Sequence, residues 1–287
     1  MQDRTLLQIA DHIRPLSPDP AVQQMAYEEG GGFYSAWRIT DAHGAYLLKV
    51  AGENELGVYR RLGNKSDALP RFFGAAPYHN KTYILLEFVE GRSLMRCERG
   101  DLVRVLDAMI ALQDVYWDTR KRVGRSVTRT LPRLRQRRVY LPEPELRTVY
   151  DRFLALYPTL HRTLCHDDLL PFNLILGDGR TVFIDWEEAG VLPYPAMLSR
   201  LLAHGSEQGE TPFYMTAADK AFAMDYYERF IAHRGIPRDE YAQAMALFRF
   251  FELTEWVYVY RKYRKKSDAL YEYYLTQAQN AAKEIAV

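Results

Sequence analysis

The sequence predicts an α+β fold of two lobes, a small β-rich lobe followed by a larger, mainly helical one. Residues 21–88 contain apolar stretches of strand length that are broken by turn residues. After Gly91, apolar side chains instead recur at spacings of three and four, which is the helical period. The change of period predicts a β-rich lobe in residues 1–90 and a helical lobe in residues 91–287.

The first lobe is predicted to begin with a short helix, residues 3–13, and to continue as a small sheet. Residues 41–44 (DAHG) have the composition of a hairpin turn. One helix interrupts the strands, because residues 53–62 place Leu56 and Tyr59 at helical spacing and Gly63 follows as a stop signal. The predicted strands are VQQMAYEE, FYSAWRIT, AYLLKV and KTYILLEFV.

The second lobe is predicted to be helical around one short two-strand unit. The two strands are LIL and TVFIDW, and Gly177, Asp178 and Gly179 supply the turn between them. The helices are predicted where apolar residues follow the helical period, in DLVRVLDAMIALQDVYW, PELRTVYDRFLALY, ADKAFAMDYYERFIAH and YAQAMALFRFFELTEWVYVYRKY.

Composition argues against several classes of protein. The 38 Lys and Arg nearly balance the 37 Asp and Glu, so no global field attracts the chain to nucleic acid or lipid. Cys97 and Cys165 stand far apart without a ligand pattern, which argues against a disulfide framework and a zinc site. The sequence has no signal-peptide run and no long uncharged stretch, so we expect a cytoplasmic protein without membrane or nucleic-acid partners. The oligomeric state is open.

The segment LCHDDLLPFNLILGDGRTVFIDWEE carries residues suited to phosphoryl transfer. Such a reaction needs a carboxylate that accepts a proton from the attacking hydroxyl, and oxygen ligands that hold Mg²⁺. Asp168 suits the first role, while Asn173, five positions on, and Asp185, a further twelve on, suit the second. His166 is predicted to brace the loop, because the carboxylate two residues later already fills the acid–base role.

This segment resembles the H-x-D-x-x-x-x-N motif and the following Asp of the aminoglycoside phosphotransferase and choline kinase family, relatives of protein kinases. Residues 185–187 (DWE) stand where these enzymes have an Asp, an aromatic and often an acidic residue. The resemblance implies a bilobal protein-kinase-like fold. It also implies a kinase that uses ATP and Mg²⁺ to phosphorylate a hydroxyl of a small molecule, with GTP as an alternative nucleotide.

Two residues depart from the family pattern. Asp167 stands where many members carry Gly, and Phe172 precedes the Asn of the motif. If Asp167 and Asp168 both face the site, the two carboxylates titrate as a pair. We assign the base to Asp168, which alone has the five-residue offset to Asn173.

A glycine-rich run between two predicted strands is a candidate phosphate-covering loop. The run GGGFYS includes Gly31, Gly32 and Ser35. Glycines allow close approach of the backbone to phosphate, but a flexible hairpin turn explains them equally well. The run alone therefore does not decide between the two interpretations.

Lys49, within AYLLKV, resembles the strand lysine that contacts the α- and β-phosphates in kinase-like folds. A lysine near a strand end is more often solvated, but its place in the order of the other motifs favours the nucleotide-binding role. Glu55 in the following helix is its predicted carboxylate partner, with Glu53 as a close competitor.

The segment ILLEFVEGRSL resembles the link between the lobes. Backbone groups near Glu87 and Val89 would hydrogen-bond the adenine edge. Ile175 and Ile184 are candidates for an apolar floor beneath the base, although core packing explains each of them at least equally well.

The resemblance to this family implies an acceptor pocket built mainly from the helices of residues 190–287. The basic segment TRKRVGRSVTRTLPRLRQRR could indicate an acidic acceptor or nucleic acid, but a solvated basic helix or loop explains it. The sequence thus indicates the reaction more firmly than the acceptor. Two alternatives stay open, an aminoglycoside kinase and a nucleotide-binding pseudokinase scaffold. The carboxylates that could bind an amino group of the acceptor are Glu188, Glu207, Glu210, Asp219, Asp225, Glu252 and Glu255.

Overall fold

A five-stranded antiparallel sheet forms the first part of the chain. The structure is a computed structural model, and it describes residues 2–26, 32–209, 211 and 213–286. The strands lie in the order β1-β2-β3-β5-β4. The elements of this part are α1 (Gln2–Ile13), β1 (Ala21–Ala26), β2 (Phe33–Asp41), β3 (Gly44–Ala51), α2 (Glu53–Leu62), β4 (Phe72–Tyr78) and β5 (Lys81–Glu87).

The two faces of this sheet belong to two separate cores. Helix α1 packs Leu6 and Ile9 on one face, together with Trp37 of β2 and Leu85 of β5. Neighbouring residues of β5 point to the other face and join the core that α2 shares with the helices after residue 91. Strand β5 therefore contributes to both cores, which explains its continuous apolar sequence.

Helices dominate the rest of the chain. Helix α8 packs against α5, α6 and α9, and within this core the rings of Phe153 and Phe251 stack with centroids 4.5 Å apart. No helix in the described ranges is long and apolar enough to cross a membrane. The elements are α3 (Arg99–Val115), β6 (Arg125–Ser126), α4 (Val127–Arg137), α5 (Pro144–Leu156), β7 (Arg162–Cys165), β8 (Leu174–Leu176), β9 (Thr181–Phe183), β10 (Gly190–Pro193), α6 (Pro195–Ala203), β11 (Gly205–Ser206), β12 (Phe213–Tyr214), α7 (Ala217–His233), α8 (Arg238–Lys262) and α9 (Ala269–Ala286).

The predicted α+β fold, with a sheet lobe and a larger helical region, is confirmed. The helix at residues 53–62 has the predicted bounds, and β8 and β9 pair antiparallel as the LIL and TVFIDW strands. The expectation of a single two-strand unit in the helical part was wrong, because β7 and β10 also pair antiparallel. The basic segment is partly helical, since its second half forms α4 after the short strand β6.

The link between the sheet and the helices lies directly on β8. Arg92 and Leu176 exchange two backbone hydrogen bonds, with N···O distances of 3.3 and 2.8 Å. A Cβ atom on Gly91 would lie only 2.6 Å from both the Ile175 side chain and the Leu176 carbonyl oxygen. Glycine is therefore required for this close approach, which sets the distance between the sheet and the β8–β9 hairpin.

Candidate active site

The loop from β7 to β8 and the end of β9 come together through two hydrogen bonds. The backbone amide of Ile184 donates to the Asn173 carbonyl oxygen at 2.9 Å. The Nε2 atom of His166 donates to the Ile184 carbonyl oxygen at 2.7 Å. His166 is fully buried, and burial lowers its pKa to about 4, so the imidazole is neutral near pH 7. The contact is the one expected of a residue that braces the loop.

Asp168 lies beside Asn173 on this loop. The Nδ2 atom of Asn173 donates to the backbone carbonyl oxygen of Asp168 at 2.8 Å and to its carboxylate Oδ2 at 3.1 Å. These bonds use the amide nitrogen of Asn173 and leave its amide oxygen for another partner. Burial raises the pKa of Asp168 to about 6, and the neighbouring Arg200 limits this rise.

Arg200 of α6 contacts the same carboxylate and has no counterpart among the residues suggested by the sequence. Its Nη2 and Nε atoms donate to Asp168 Oδ1 at 2.8 and 3.2 Å. Its Nη1 atom donates to Glu252, at 3.0 Å, and to Glu255, both on α8. Arg200 thus connects Asp168 to the helical core.

Lys49 of β3 bridges two carboxylates. Its Nζ atom lies 2.9 Å from Glu55 of α2 and 2.8 Å from Asp185. Burial alone would lower the pKa of Lys49, but the charges of Glu55 and Asp185 outweigh it and raise the pKa above the usual value. Lys49 therefore stays protonated. Its partner on α2 is Glu55, and no pair with Glu53 is seen among the described contacts.

Helix α2 is also fastened directly to the turn that follows Asp185. The Nδ2 atom of Asn54 donates to the carbonyl oxygens of Glu187 and Ala189, each at 2.9 Å. Trp186, the first residue of this turn, is fully buried, and its Nε1 atom donates to the Phe183 carbonyl oxygen at 2.7 Å. Asn54, which the sequence did not single out, thus holds the α2 segment against the segment that carries Asp185.

Asp167 adopts a backbone conformation that explains the departure from the family pattern. Its φ of 62° lies in the left-handed region, which Gly occupies freely and which Asp tolerates better than most residues. Burial and the charge of Glu252 raise the pKa of Asp167 to about 7, against the influence of Arg200. This carboxyl is therefore largely protonated in mildly acidic solution.

The candidate phosphate-covering loop lies partly outside the described residues. Gly31 is outside them, as is Glu210 among the acceptor candidates. Gly32 precedes β2, and Ser35 is exposed near the start of that strand. The next residue, Ala36, pairs with Lys49 across the β2–β3 ladder, so Ser35 stands close to the lysine-bearing strand.

The residues predicted near the adenine base lie around the link. The Glu87 amide donates to the Arg71 carbonyl oxygen at 2.8 Å, and its carboxylate lies 2.6 Å from Arg180. The Glu87 amide is thus already engaged, whereas Val89 lies further along the link and is partly exposed. Ile175, against Gly91, and Ile184, beside Asp185, are also partly exposed.

The donor atoms near Asp185 suit a hard divalent cation. The Asn173 amide oxygen and the Asp185 carboxylate are oxygen donors, and the Asp185 side chain is 40% exposed toward solvent. A second group of possible metal ligands consists of His204, Glu252 and Glu255. The positively charged guanidinium of Arg200 already lies among these three side chains, because its Nη1 atom contacts each of them. We therefore consider only the first group as a metal site.

Three solved structures with the same fold are described as kinases or phosphotransferases. A choline/ethanolamine kinase family protein from Mesorhizobium loti has a TM-score of 0.66 at 14% identity, over 99% of this chain and 96% of that chain. An aminoglycoside-3'-phosphotransferase of type VIII has a TM-score of 0.58 at 20% identity, over 86% and 98%. An amicoumacin kinase, solved with AMP-PNP and Ca²⁺, has a TM-score of 0.59 at 16% identity, over 99% and 93%. At such identities these similarities establish the fold.

A family model gives evidence beyond the fold. The model described as the phosphotransferase enzyme family matches residues 26–232, which is more than half of the sequence. The matched range includes Lys49, Asp168 and Asp185 and ends before α8. A search of curated proteins returned no significant match.

Proposed function

Because the chain belongs to the phosphotransferase enzyme family, we propose that it transfers the γ-phosphoryl group of ATP to a hydroxyl of a small molecule with the help of Mg²⁺. Membership makes the chain a kinase of small-molecule hydroxyl groups. The nucleotide, the metal and the residue roles are our proposal. Residues 1–90 would bind the nucleotide, and residues 91–287 would carry the catalytic loop and the acceptor site.

One contact carries this proposal. Lys49 Nζ lies 2.8 Å from Asp185, although the two residues are 136 positions apart in sequence. A phosphate-binding cation and a metal-binding carboxylate must meet at the same nucleotide, and Lys49 and Asp185, whose side chains are 17% and 40% exposed, meet in this way. Glu55 also accepts a hydrogen bond from the lysine, at 2.9 Å, which fixes the ammonium beside Asp185.

The chain's own residues divide the chemistry among them. Asp168 would orient the acceptor hydroxyl and accept its proton at a carboxylate oxygen as the hydroxyl oxygen bonds to phosphorus and the bond to the ADP oxygen breaks. Lys49 would bind phosphate oxygens, and Asn173 and Asp185 would hold the cation. A bound divalent cation supplies neutralisation of phosphate charge. His166 and Asn54 would position these groups without touching the substrates.

The nucleotide assignment rests on the fold and on the donor atoms. The amicoumacin kinase of the same fold was solved with an ATP analogue and a divalent cation. Of the residues predicted around the nucleotide, Ser35 is exposed and Val89, Ile175 and Ile184 are partly exposed, so these four remain candidates. The backbone amide of Glu87 is less suitable, because it already donates to Arg71.

A phosphate-transfer screen tests the proposed function. Purified protein is incubated with γ-labelled ATP, Mg²⁺ and panels of amino sugars, amino alcohols, sugars and nucleosides, with Asp168→Asn as the negative control. We expect labelled product with at least one acceptor and none with the variant. Bound nucleotide without transfer or hydrolysis would favour the scaffold alternative, and a product restricted to amino sugars would favour the aminoglycoside kinase.

A further inference from the structure

We infer that Arg200 is a positioning residue that fixes the carboxylate of Asp168, and that Glu252 and Glu255 of α8 fix Arg200 in turn. The inference rests on the proposed function, since it takes Asp168 as the base. It extends the catalytic machinery from the loop after β7 to two helices, one of which lies beyond the range that matches the family model.

The two oxygens of the Asp168 carboxylate have different partners. Oδ1 accepts from Nη2 and Nε of Arg200 at 2.8 and 3.2 Å. Oδ2 accepts from the amide of Asn173 at 3.1 Å. Donors on both oxygens restrict rotation of the carboxylate about its bond to Cβ. A base must present one lone pair to the acceptor hydroxyl, and this arrangement sets the direction of that lone pair.

Arg200 is itself held by groups on α8. Its Nη1 atom donates to Glu252 at 3.0 Å and also to Glu255. These glutamates are three positions apart on one helix, so both face the same side. Arg137 of α4 lies 3.3 Å from Glu255. The guanidinium of Arg200 is therefore anchored by a rigid helix, and a small shift of α8 would be passed on to Asp168.

The same contacts argue against other roles for Arg200. Its Nε, Nη1 and Nη2 atoms all donate to carboxylates of the protein, and the side chain is only 13% exposed. The guanidinium has five N–H donors in a fixed plane, and at least four of them are used here. Arg200 thus has no open edge with which to bind the phosphates or an anionic acceptor.

The geometry requires arginine rather than a cation of any kind. One flat guanidinium reaches Asp168 with one edge and α8 with the other, whereas an ammonium group is a single point charge. Arg200→Lys therefore keeps the charge but loses one of the two connections. Arg200→Met keeps most of the volume and loses both.

Four variants and one control test the inference. The variants are Arg200→Met, Arg200→Lys, Asp168→Asn and the double variant Asp168→Asn/Arg200→Met. The control is Arg99→Met, which removes an ion pair with Asp219 (N···O 2.8 Å) in the same part of the chain without contact to Asp168. The kcat is measured for transfer to the best acceptor from the screen and for hydrolysis of the nucleotide by water. The KM for the acceptor and the Kd for the nucleotide are measured as well. Circular dichroism verifies that each protein is folded.

We expect Arg200→Met to lower kcat about 100-fold, the loss typical of a misplaced catalytic group, and Arg200→Lys to fall between it and the wild type. Nucleotide Kd and acceptor KM should stay within about threefold, because the N–H groups of Arg200 donate to carboxylates of the protein itself. Since Arg200 acts through Asp168, the double variant should be no slower than Asp168→Asn alone. Arg99→Met should keep the wild-type kcat.

Several results would overturn the inference. A folded Arg200→Met protein with wild-type kcat, or one with raised acceptor KM and unchanged kcat, contradicts positioning. If the fold-loss of kcat in the double variant equals the product of the losses in the two single variants, Arg200 acts independently of Asp168. An equal loss in Arg99→Met assigns the effect to general stability. If Arg200→Met does not fold, a wild-type kcat in Arg200→Lys overturns the inference. Absence of turnover in the wild type itself contradicts the proposed function, and the inference falls with it.

Discussion

Asp167 combines a left-handed backbone, with φ of 62°, and a carboxyl whose pKa burial raises to about 7. Glycine adopts this conformation without steric cost and has no carboxyl to bury. We expect Asp167→Gly to leave the free energy of unfolding unchanged or to raise it by up to about 1 kcal/mol. Turnover should stay within about threefold of the wild type, because we propose Asp168 and not Asp167 as the base. Urea unfolding and steady-state kinetics measure the two effects, and a loss of turnover as large as that of Asp168→Asn would make Asp167 the base.

His166 makes stability depend on pH. Burial lowers its pKa to about 4 in the folded protein, from 6.5 in the unfolded chain. The folded state therefore favours the neutral imidazole, so this contribution is fully present above pH 6.5 and is lost progressively as the pH falls toward 4. Between pH 8 and pH 5 the loss amounts to about 2 kcal/mol of unfolding free energy.

Chemical denaturation of the wild type and of His166→Gln at both pH values tests this expectation. The wild type should lose about 2 kcal/mol more than the variant on acidification. The raised pKa values of Asp167 and Asp168 act in the opposite direction, but both proteins contain these groups, so the comparison isolates the histidine. Equal losses in the two proteins would contradict a buried neutral His166.

The three residues proposed to react or to hold the metal could be selected at the residue scale because their spacing is local. Asp168 and Asn173 lie on one loop, and their hydrogen bond follows from the short connection between them. Arg200 could not be found in this way. Its contact with Asp168 spans 32 residues and depends on how α6 packs against α8, which no local pattern records.

At the scale of elements, α2 and the turn of residues 186–188 are joined by the Asn54 side chain. Asn54→Ala removes two hydrogen bonds and should cost about 1–2 kcal/mol of stability. It should also lower kcat about tenfold, because Glu55, Lys49 and Asp185 depend on the same junction. Thermal unfolding and steady-state kinetics measure these changes.

Asn64→Ala is the matched control for that prediction. Asn64 also makes two hydrogen bonds, with the backbone oxygen and nitrogen of Phe72 at 3.1 and 3.2 Å, and neither contacts the site. We expect a similar loss of stability with unchanged kcat. If both variants lose activity equally, or neither does, the junction has no specific role in positioning Asp185.

Some elements were predictable because one side of them faces solvent. Helix α2 shows a clear helical period, and its bounds follow from the sequence. Strand β4 was missed because Gly74 and Pro77 are typical of turns, and an edge strand with a bulge tolerates both. Helix α6 was missed because nearly all of it is buried, so it lacks a polar face. Because α6 was not predicted, Arg200 on that helix was not recognised as a candidate site residue.

At the scale of the whole molecule, several contacts hold the sheet against the helical part. Lys49 of β3 pairs with Asp185 at 2.8 Å, and the amide of Phe183 in β9 donates to the carbonyl oxygen of Ala68 at 2.8 Å. The boundary proposed at residues 90 and 91 follows the change of hydrophobic period and stays a prediction. The site lies between the two parts, so its geometry depends on how they are joined.

The central claim is that Asp168 acts on the acceptor and Asp185 on the metal-bound nucleotide. Turnover and Mg²⁺-ATP affinity, measured on the same preparations of Asp168→Asn and Asp185→Asn, test it most directly. We expect Asp168→Asn to lose about 1,000-fold in turnover with nucleotide affinity within about threefold of the wild type. Asp185→Asn should weaken Mg²⁺-nucleotide binding at least about tenfold. Turnover close to the wild-type value in Asp168→Asn, in a folded protein that binds nucleotide, would contradict the claim.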